Sequence, residues 1–551
     1  VLAQYARHHR AMGQFGKATE YLRAAVAAEQ PNRLQWGQAR VASNPFAAHA
    51  ADGRSRTLLA GGMSNRVPGG GPVPGVLPGI GNGNSSGNNF ATMNLDQLPP
   101  TGAGLPSPSA QADSAVSRSL RWRDPAPVVV AQAPMNPPMT AQMPAQGAAA
   151  VPLQKPRVTK TLSDELAEVQ VEHGRTSLAI AGSINSRTGD AGLGKLDTVQ
   201  TPIEGRKTIE NVGQVAVRVT PVVITAGQVA LNSRTRTGTL GLDTTGAIVA
   251  PSQSDAGTAV AVALKTRTLT VDVGTTPVGF AVVDVVGGLR YIDEFRNGLT
   301  LTVDASRRAV TDSLLAFAGT RDARTDRVWG GVRSTGLRGQ LAWEQADVGV
   351  YGYGSVHAFT GQHVASNSRF ELGAGSFWQA QRQDDTQIDL GMNLGYQHYR
   401  RNLSGYTWGH GGYFSPQHLL SLTVPVNWFG RSGRLSWGLQ GAAGLQAYRE
   451  EAAPYFPTDA AAQVTMDSLV AQQRAPASTY AARSDSGLVL NLGGALEYQI
   501  TRQLDIGTRL GLERASQYTQ STGSIYLRFS LEPRGAVSGL GLQMPGGPVG
   551  F

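Results

Sequence analysis

The chain has 551 residues, of which 68 are glycine, 30 are proline and none is cysteine, and only 16% are charged. So much glycine and proline is typical of disorder or of many β-turns, and the lack of cysteine excludes disulfides, thiolate metal sites and cysteine nucleophiles. The formal net charge is +9, but the arginines are scattered singly among strand-like segments, which does not favour nucleic acid as a partner.

Residues 1–30 predict two short helices around a glycine-containing turn. Small residues at Ala6, Ala18 and Ala25 with a bulky Leu22 resemble a tetratricopeptide repeat, although one repeat alone could be any helical hairpin. A single repeat cannot bury its own face, so we expect at least two more before it. The opening residues also lack the apolar core of a signal peptide, which indicates a fragment of a longer protein.

Residues 31–160 are dominated by Gly, Pro, Ala, Ser and Asn, as in GGGPVPGVLPGIGNGNSSGNN. Such a segment cannot bury enough apolar surface to offset its ordering entropy, and we predict a disordered linker. A short periplasmic helix is predicted within 161–174, with Ser163 as its N-cap.

From 175 to 532 apolar and polar residues alternate with a period of two, which predicts a mainly β domain. Many of the strands are long enough to cross a bilayer when tilted. The sixteen predicted strands are 176–184, 195–201, 212–222, 258–265, 268–274, 285–292, 298–305, 331–344, 347–358, 369–380, 385–399, 418–428, 434–448, 486–499, 503–514 and 523–532.

The connections between these strands alternate in length. Turns of a few residues, such as RQDD at 381–384, alternate with long segments at about 224–257, 306–330, 400–417 and 449–485. Short periplasmic turns and long extracellular loops are typical of an outer-membrane barrel. We therefore predict a 16-stranded antiparallel transmembrane β-barrel.

The two faces of each strand support a membrane barrel. Leu337, Leu341 and Trp343 share one face of a strand, and Arg338 and Glu344 lie on the other. An apolar outside around a polar inside is the reverse of a soluble barrel. Four tryptophans near strand ends suit an interfacial girdle: Trp343, Trp378, Trp428 and Trp437.

Several strings in this region resemble the cellulose synthase operon C subunit family, the outer-membrane cellulose export proteins. They are AGLGKLDTVQTPIEG at 191–205, TVDVGTTPVGF at 270–280, RRAVTDSLLAFAGTRD at 307–322, HGGYFSPQ at 410–417 and the segment 421–457. The resemblance covers about residues 160–532.

The resemblance implies a passive duct for a β-1,4-glucan (cellulose) chain. It also implies partners: the catalytic and co-catalytic subunits of an inner-membrane synthase and periplasmic accessory proteins, all held through the repeats. The barrel itself faces outer-membrane lipid, and whether the linker spans or binds peptidoglycan is left open.

Inward residues of mixed charge would exchange hydrogen bonds with sugar hydroxyls without trapping an ion. Inward aromatic rings would offer flat faces to sugars, the alternatives for each ring being packing in the lumen or a girdle position. The predicted glucan path is Arg218, Asp272, Arg338, Glu344, Tyr351, Tyr353, Glu371, Phe377, Asp389, Tyr399, Tyr448, Glu497, Asp505, Arg509, Tyr526 and Arg528.

The long-loop strings carry apolar residues that would be awkward on an exposed loop. We expect them to fold inward and narrow the exit as an extracellular gate, the alternative being a cluster that only stiffens the rim. The predicted gate is Phe280, Leu314, Leu315, Phe317, His410, Tyr413 and Phe414.

Other functions fit less well. A hydrolase would need a nucleophile elbow, which is lacking, or a carboxylate pair such as Glu371 and Asp389. The spacing of His and Asp matches no metal-ligand motif, and nothing in the sequence requires a cofactor. A general diffusion porin, or a pore for another exopolysaccharide, remains the alternative.

The last predicted strand, 523–532, is expected to close the barrel against 176–184. Residues 533–551 contain too much Pro and Gly for a strand in lipid, so we predict a periplasmic tail that ends in Phe551.

Overall fold

The structure, a computed structural model, describes residues 2–11, 17–26, 176–209, 212–266, 268–295, 298–383, 386–515 and 518–531. The linker predicted at 31–160, the short helix at 161–174 and the tail at 533–551 lie outside these residues.

Two helices are described near the start of the chain, α1 at Leu2–Ala11 and α2 at 17–26. Ala6, Ala18 and Leu22 are buried against one another, and the rings of Tyr5 and Tyr21 lie 5.9 Å apart. Small alanines let the two helices approach closely. The packing is that of a helical hairpin, and its assignment to a tetratricopeptide repeat stays a prediction.

Strands dominate the rest of the described chain. They are β1 Ser177–Arg187, β2 Leu196–Gln200, β3 Ile203–Ile209, β4 Gly213–Gln228, β5 Ser252–Lys265, β6 Leu269–Thr275, β7 Val285–Glu294, β8 Leu299–Ala309, β9 Thr320–Arg321, β10 Val328–Gln345, β11 Val348–Gln362, β12 Asn367–Arg382, β13 Thr386–Tyr399, β14 His418–Ser432, β15 Leu435–Glu450, β16 Ala453–Pro454, β17 Thr479–Tyr480, β18 Arg483–Gln499, β19 Leu504–Ala515 and β20 Tyr518–Ser530.

The sheet closes on itself in an antiparallel barrel. The last strand, β20, pairs with β1 from Ser177 opposite Ser530 to Arg187 opposite Gln520. Strands β2 and β3 share one wall position, while β9, β16 and β17 lie in the loops. The wall therefore has sixteen strands, as the sequence predicts, and closure pairs its backbone groups within the protein.

The second wall strand corrects one prediction. Its predicted end is residue 201, but it resumes after Pro202 as β3. Proline has no N–H for the ladder, yet β1 pairs with both halves, Ser183 with Gln200 and Ile180 with Ile203. The break is therefore local and the strand continues.

The strands β4 and β5 also run further than predicted, to Gln228 and from Ser252. The long connection between them shrinks from 224–257 to 229–251.

The wall has an apolar outside and a polar inside. Along β14, Leu420, Leu422 and Val424 are exposed, whereas Ser421 and Thr423 are buried. A continuous exposed apolar belt is stable only against lipid. The four predicted girdle tryptophans all lie on outward positions near the short-turn ends of β10, β12, β14 and β15. No helix in the described part of the chain is long and apolar enough to cross a membrane.

Two helices in the long loops were not predicted: α3 at Leu314–Phe317 and α4 at Ala460–Ala471. The side chain of Asp459 caps α4 by accepting from Ala462 N at 2.9 Å. Only Met466 and Leu469 of α4 are buried, so the helix has too narrow an apolar face to produce a clear helical period.

Candidate functional site

The sixteen residues of the predicted path all lie on inward positions of the wall strands. Four charged clusters organise this inner face, and each joins strands that are adjacent in the wall or separated by one strand. The first is formed by Glu204 and Arg218, whose Nε donates to Glu204 Oε2 at 2.7 Å; Arg206 also bonds Glu204.

A second cluster joins Arg308 to Asp272, with Nη2 donating to Oδ1 at 2.6 Å. In the third, Glu371 lies 3.8 Å from Arg338 and 3.6 Å from Arg369. The carboxylates of Asp272 and Glu371 are thus compensated by guanidinium groups within the wall.

The fourth cluster is centred on Arg528. Its Nη2 donates to Glu497 Oε1 at 2.7 Å, and its Nε donates to Asp505 Oδ2 at 3.1 Å. Tyr526 also donates to Glu497. The inner face therefore presents compensated charge rather than a ring of one sign.

The inward aromatic rings lie against glycines of the next strand. A Cβ added at Gly373 would meet the ring of Tyr353 at 2.3 Å, and one at Gly507 would meet the ring of Tyr526 at 2.2 Å. Arg338 covers Tyr353 with its guanidinium 3.9 Å from the ring centre. These rings are buried, so they pack the inner wall instead of standing free in the lumen.

Tyr399 and Tyr448 lie near the long-loop end of the wall. The ring of Tyr399 is 5.2 Å from that of Phe359, and the ring of Tyr448 is 5.2 Å from that of Phe414. They support the loops above them.

We define the cap as the four connections 229–251, 310–327, 400–417 and 451–482. The connection 310–327 leaves the wall between β8 and β10, yet Arg187 at the end of β1 donates to the carbonyl oxygen of Asp312. Counted around the wall, β1 is six strands away from β8. The connection therefore crosses the lumen.

Connections 310–327 and 400–417 are joined directly. Ser313 Oγ donates to the carbonyl of Gly412 at 2.7 Å, and Phe414 N donates to Asp312 Oδ2 at 3.1 Å. Ser313 Oγ also accepts from Ala316 N at 3.1 Å as the N-cap of α3. One hydroxyl thus orders the helix and ties the two connections together.

The other two connections join the same assembly. Thr239 donates its backbone N–H and its hydroxyl to the carboxylate of Asp322, each at 2.7 Å. Tyr406 N donates to Tyr480 Oη at 3.1 Å, and His410 Nε2 lies 2.9 Å from the carbonyl oxygen of Pro454.

All seven predicted gate residues are buried in the cap or beneath it. Phe280 and Phe317 meet edge to face at 5.1 Å and pack on inward residues of β4. Tyr413 stacks on Phe359 at 5.3 Å. They belong to separate apolar clusters spread around the wall rather than to one plug.

Burial is the largest cause of the pKa shifts of Asp312, His410 and Tyr413 in the cap. It raises the pKa of the Asp312 carboxyl, against the opposing effect of Arg187. Burial also lowers the pKa of His410 to about 4 and raises the pKa of Tyr413 well above its usual range. The His410 ring is therefore neutral at pH 7.

The proposed carboxylate pair of a hydrolase is not assembled. Glu371 lies opposite Gln397 and Asp389 lies opposite Gln379, so eight residues of ladder separate them, about 26 Å at ~3.3 Å per residue. A glycosidase needs two carboxyls within about 10 Å. Among the described residues, His, Asp and Glu form no group of three that could hold a metal ion.

The sequence did not single out Arg187, Asp312, Ser313 or Gly412. Asp312 and Ser313 lie inside the string RRAVTDSLLAFAGTRD, where a Ser before an apolar run is a helix N-cap signal. Nothing local indicates their partners, which are 125 and 99 residues away.

Comparison with known proteins matches this barrel to one protein family. The sequence model of the family described as "Cellulose synthase operon protein C C-terminus" matches residues 194–532. "Cellulose synthase operon protein C" of Pseudomonas fluorescens (strain SBW25) is 36% identical over 363 residues, covering 65% of this chain and 27% of that protein. The protein of the same name from Xanthomonas axonopodis pv. citri is 37% identical over 341 residues, covering 59% and 22%. The match thus spans only about a quarter of the length of either relative.

Solved structures also align with the barrel. A "Bacterial polysaccharide outer membrane secretin" aligns over 65% of this chain and 98% of its own, with 13% identity and a TM-score of 0.39. Pseudomonas putida OprB aligns over 67% and 97%, with 8% identity and a TM-score of 0.32.

Proposed function

Because the chain belongs to the cellulose synthase operon protein C C-terminal family, we propose that its outer-membrane barrel is the channel through which a cellulose chain leaves the cell. The observation that carries the proposal is the cap: connections from opposite parts of the wall meet over a lumen lined by pairs of opposite charge. A conduit for a long polymer needs a passage that is closed when empty.

The lining suits a neutral polysaccharide. A barrel of sixteen strands is wide enough for an aqueous channel. Compensated pairs such as Arg218 with Glu204 and Arg528 with Asp505 offer hydrogen bonds without a net field. A neutral chain of hydroxyl groups can slide along such a surface, since no single position binds it strongly.

The cap is the extracellular gate in this proposal. Six of the predicted gate residues lie in the cap, and Phe280 lies in the connection 276–284. All seven are buried in contacts between connections and wall, and those contacts must separate when the glucan passes. Polar ties such as Ser313 with Gly412 and Thr239 with Asp322 join one connection to another, so the gate opens only when these hydrogen bonds break.

The conduit is passive and performs no chemistry. An inner-membrane synthase drives the polymer, and the periplasmic repeats hold the synthase subunits and accessory proteins near the channel. The separation of Glu371 from Asp389 supports a non-catalytic lumen. A general diffusion porin is the competing function, and the cross-lumen ties favour a regulated exit over an open pore.

A deletion experiment tests export. Deleting the gene in the source bacterium should leave glucan synthesis by isolated membranes intact and abolish extracellular glucan, and the full-length gene should restore it. Unchanged secretion would refute export, and loss of membrane synthesis as well would point to a role in the synthase.

A second experiment tests the gate. Deleting 410–417 removes His410, Tyr413 and Phe414 and should raise single-channel conductance of the full-length protein in a planar bilayer. A matched control, Arg434→Gln in the short turn between β14 and β15, should leave conductance unchanged. Equal conductance for the deletion and the wild type would contradict a constriction in the cap.

A further inference from the structure

A row of outward-facing residues crosses neighbouring strands at the long-loop end of the barrel. Phe370 of β12 is paired with His398 of β13, and His418 of β14 is paired with Arg449 of β15. The two imidazole rings lie 5.5 Å apart, which links the two pairs into one continuous row. Its members face away from the lumen, because their neighbours Tyr399 and Tyr448 face inward.

This row lies directly above the lipid-facing belt. The next outward residues toward the membrane include Tyr396 and Leu420, which are paired across β13 and β14. Leu394 and Leu422 follow and are exposed. A tyrosine above leucines marks the boundary between acyl chains and headgroups. The row is therefore at the height of the headgroups in the outer leaflet.

Cations concentrate at this height. Arg449 is exposed in the row, and Arg400 and Arg401 are exposed just beyond β13. Within the described part of the chain, no carboxylate forms an ion pair with these three arginines. The neighbouring Glu450 faces inward, where it pairs with Arg483 at 3.3 Å. The next acid, Glu451, is exposed at the rim and donates its backbone N–H to Gln417.

The two histidines are held in place from the protein side. His418 Nδ1 lies 2.9 Å from Tyr396 Oη, and His398 Nδ1 contacts the carbonyl oxygen of Gln417. Each ring keeps Nε2 as its remaining polar atom. The patch thus combines three arginines with two oriented imidazoles, and Arg401 also donates to the carbonyl oxygen of Ser366 at 3.3 Å.

We propose that the patch formed by His398, Arg400, Arg401, His418 and Arg449 binds the phosphate group of an outer-leaflet lipid. Guanidinium groups bind phosphate oxygens through paired, charge-assisted hydrogen bonds. The acyl chains of the same lipid would lie on the apolar belt below. A lipid bound here would anchor β13, β14 and β15, two of which flank the connection 400–417 of the cap.

The test uses the full chain, purified in dodecyl maltoside, with two lipid probes. Bisphosphorylated lipid A should bind and raise the midpoint temperature of thermal unfolding. Unfolding is followed by the loss of the fast-migrating folded band on gels. The same lipid A without its phosphates should bind at least about tenfold more weakly, since at least one charge-assisted contact is lost. Equal binding of the two lipids would overturn the proposal.

The variant R400Q/R449Q should weaken binding of bisphosphorylated lipid A by about tenfold for each arginine. The control R434Q alters an exposed arginine at the opposite end of the β14–β15 hairpin and should bind like the wild type. Undiminished binding by R400Q/R449Q would refute the site. Competition by inorganic phosphate at the same concentration as the lipid would also refute it, because the patch would then be a simple anion site.

Discussion

The hydroxyl of Ser313 donates to the carbonyl oxygen of Gly412 at 2.7 Å, which ties two connections of the cap that are 99 residues apart. A Cβ added at Gly412 would lie 2.8 Å from Ser313 Oγ. The two positions are therefore close enough for an engineered disulfide, and the chain has no cysteine of its own to compete.

Locking this junction should stop export. In the double variant Ser313→Cys and Gly412→Cys, oxidation should close the channel, because the connections can no longer separate. Gly412 has φ +64°, so its substitution costs about 1–2 kcal/mol of backbone strain. The measurement is extracellular glucan in oxidised cells and after dithiothreitol.

The reduced double variant and each single variant are the controls, since none of them contains the disulfide. The reduced double variant and Gly412→Cys also share the backbone strain. Their export should match the wild type. Continued export by the oxidised double variant would show that the gate, if it opens, opens elsewhere.

Acidification should loosen the cap through His410. Burial lowers the pKa of this ring to about 4, whereas an exposed histidine has a pKa of about 6.5. The buried neutral ring therefore stabilises the closed cap fully above pH 6.5, and this contribution is lost as the pH falls toward 4. The loss amounts to about 3 kcal/mol, at 1.36 kcal/mol per pKa unit.

The measurement is single-channel conductance between pH 7.5 and 4.5 for the wild type and His410→Asn, which cannot acquire the charge. Only the wild type should gain conductance through this group as the pH falls. Asp312 works in the opposite direction, because a carboxyl with a raised pKa loses its contribution as the pH rises. Asp312 is present in both proteins, so the difference between their conductance–pH profiles reports on His410 alone. Identical pH profiles would contradict the prediction.

The wall could be predicted from the sequence because the patterns that define its strands lie within short stretches of the chain. Alternation along β14 tells which side chains face lipid, and short turns tell which strands are neighbours. The same reliance on local signals explains the error at Pro202. The sequence predicted that the strand ends at residue 201, but β1 pairs with the segments on both sides of the proline and the strand continues.

The cap could be predicted only in part. Phe317 and Tyr413 were recognised as too apolar for exposed loops, and both are buried. Their partners could not be derived, because contacts such as Arg187 with Asp312 join segments 125 residues apart. The apolar and polar pattern of the sequence gives no information on contacts between segments so far apart.

Removing Arg528 should destabilise the barrel. Its guanidinium bonds both Glu497 and Asp505. Arg528→Gln therefore leaves the half-buried carboxylate of Glu497 and the buried carboxylate of Asp505 without their cation, which costs about 3 kcal/mol. The triple variant Arg528→Gln, Glu497→Gln and Asp505→Asn should regain most of the loss. Urea unfolding in detergent measures it, with exposed Arg514→Gln as the neutral control. If Arg528→Gln unfolded like Arg514→Gln, the cluster would have no structural role.

Position 507, where Gly507 lies against the ring of Tyr526, should not tolerate a side chain. A Cβ at Gly507 would lie 2.2 Å from the tyrosine ring, so Gly507→Ala must push the ring off the wall and break its bond to Glu497. We expect a loss of about 1–3 kcal/mol in the free energy of unfolding, as in other overpacked sites. Gly182→Ala is the matched control, because nothing lies within 4 Å of its added Cβ. In urea unfolding, equal midpoints for the two variants would mean that the ring moves freely and does not pack on the glycine.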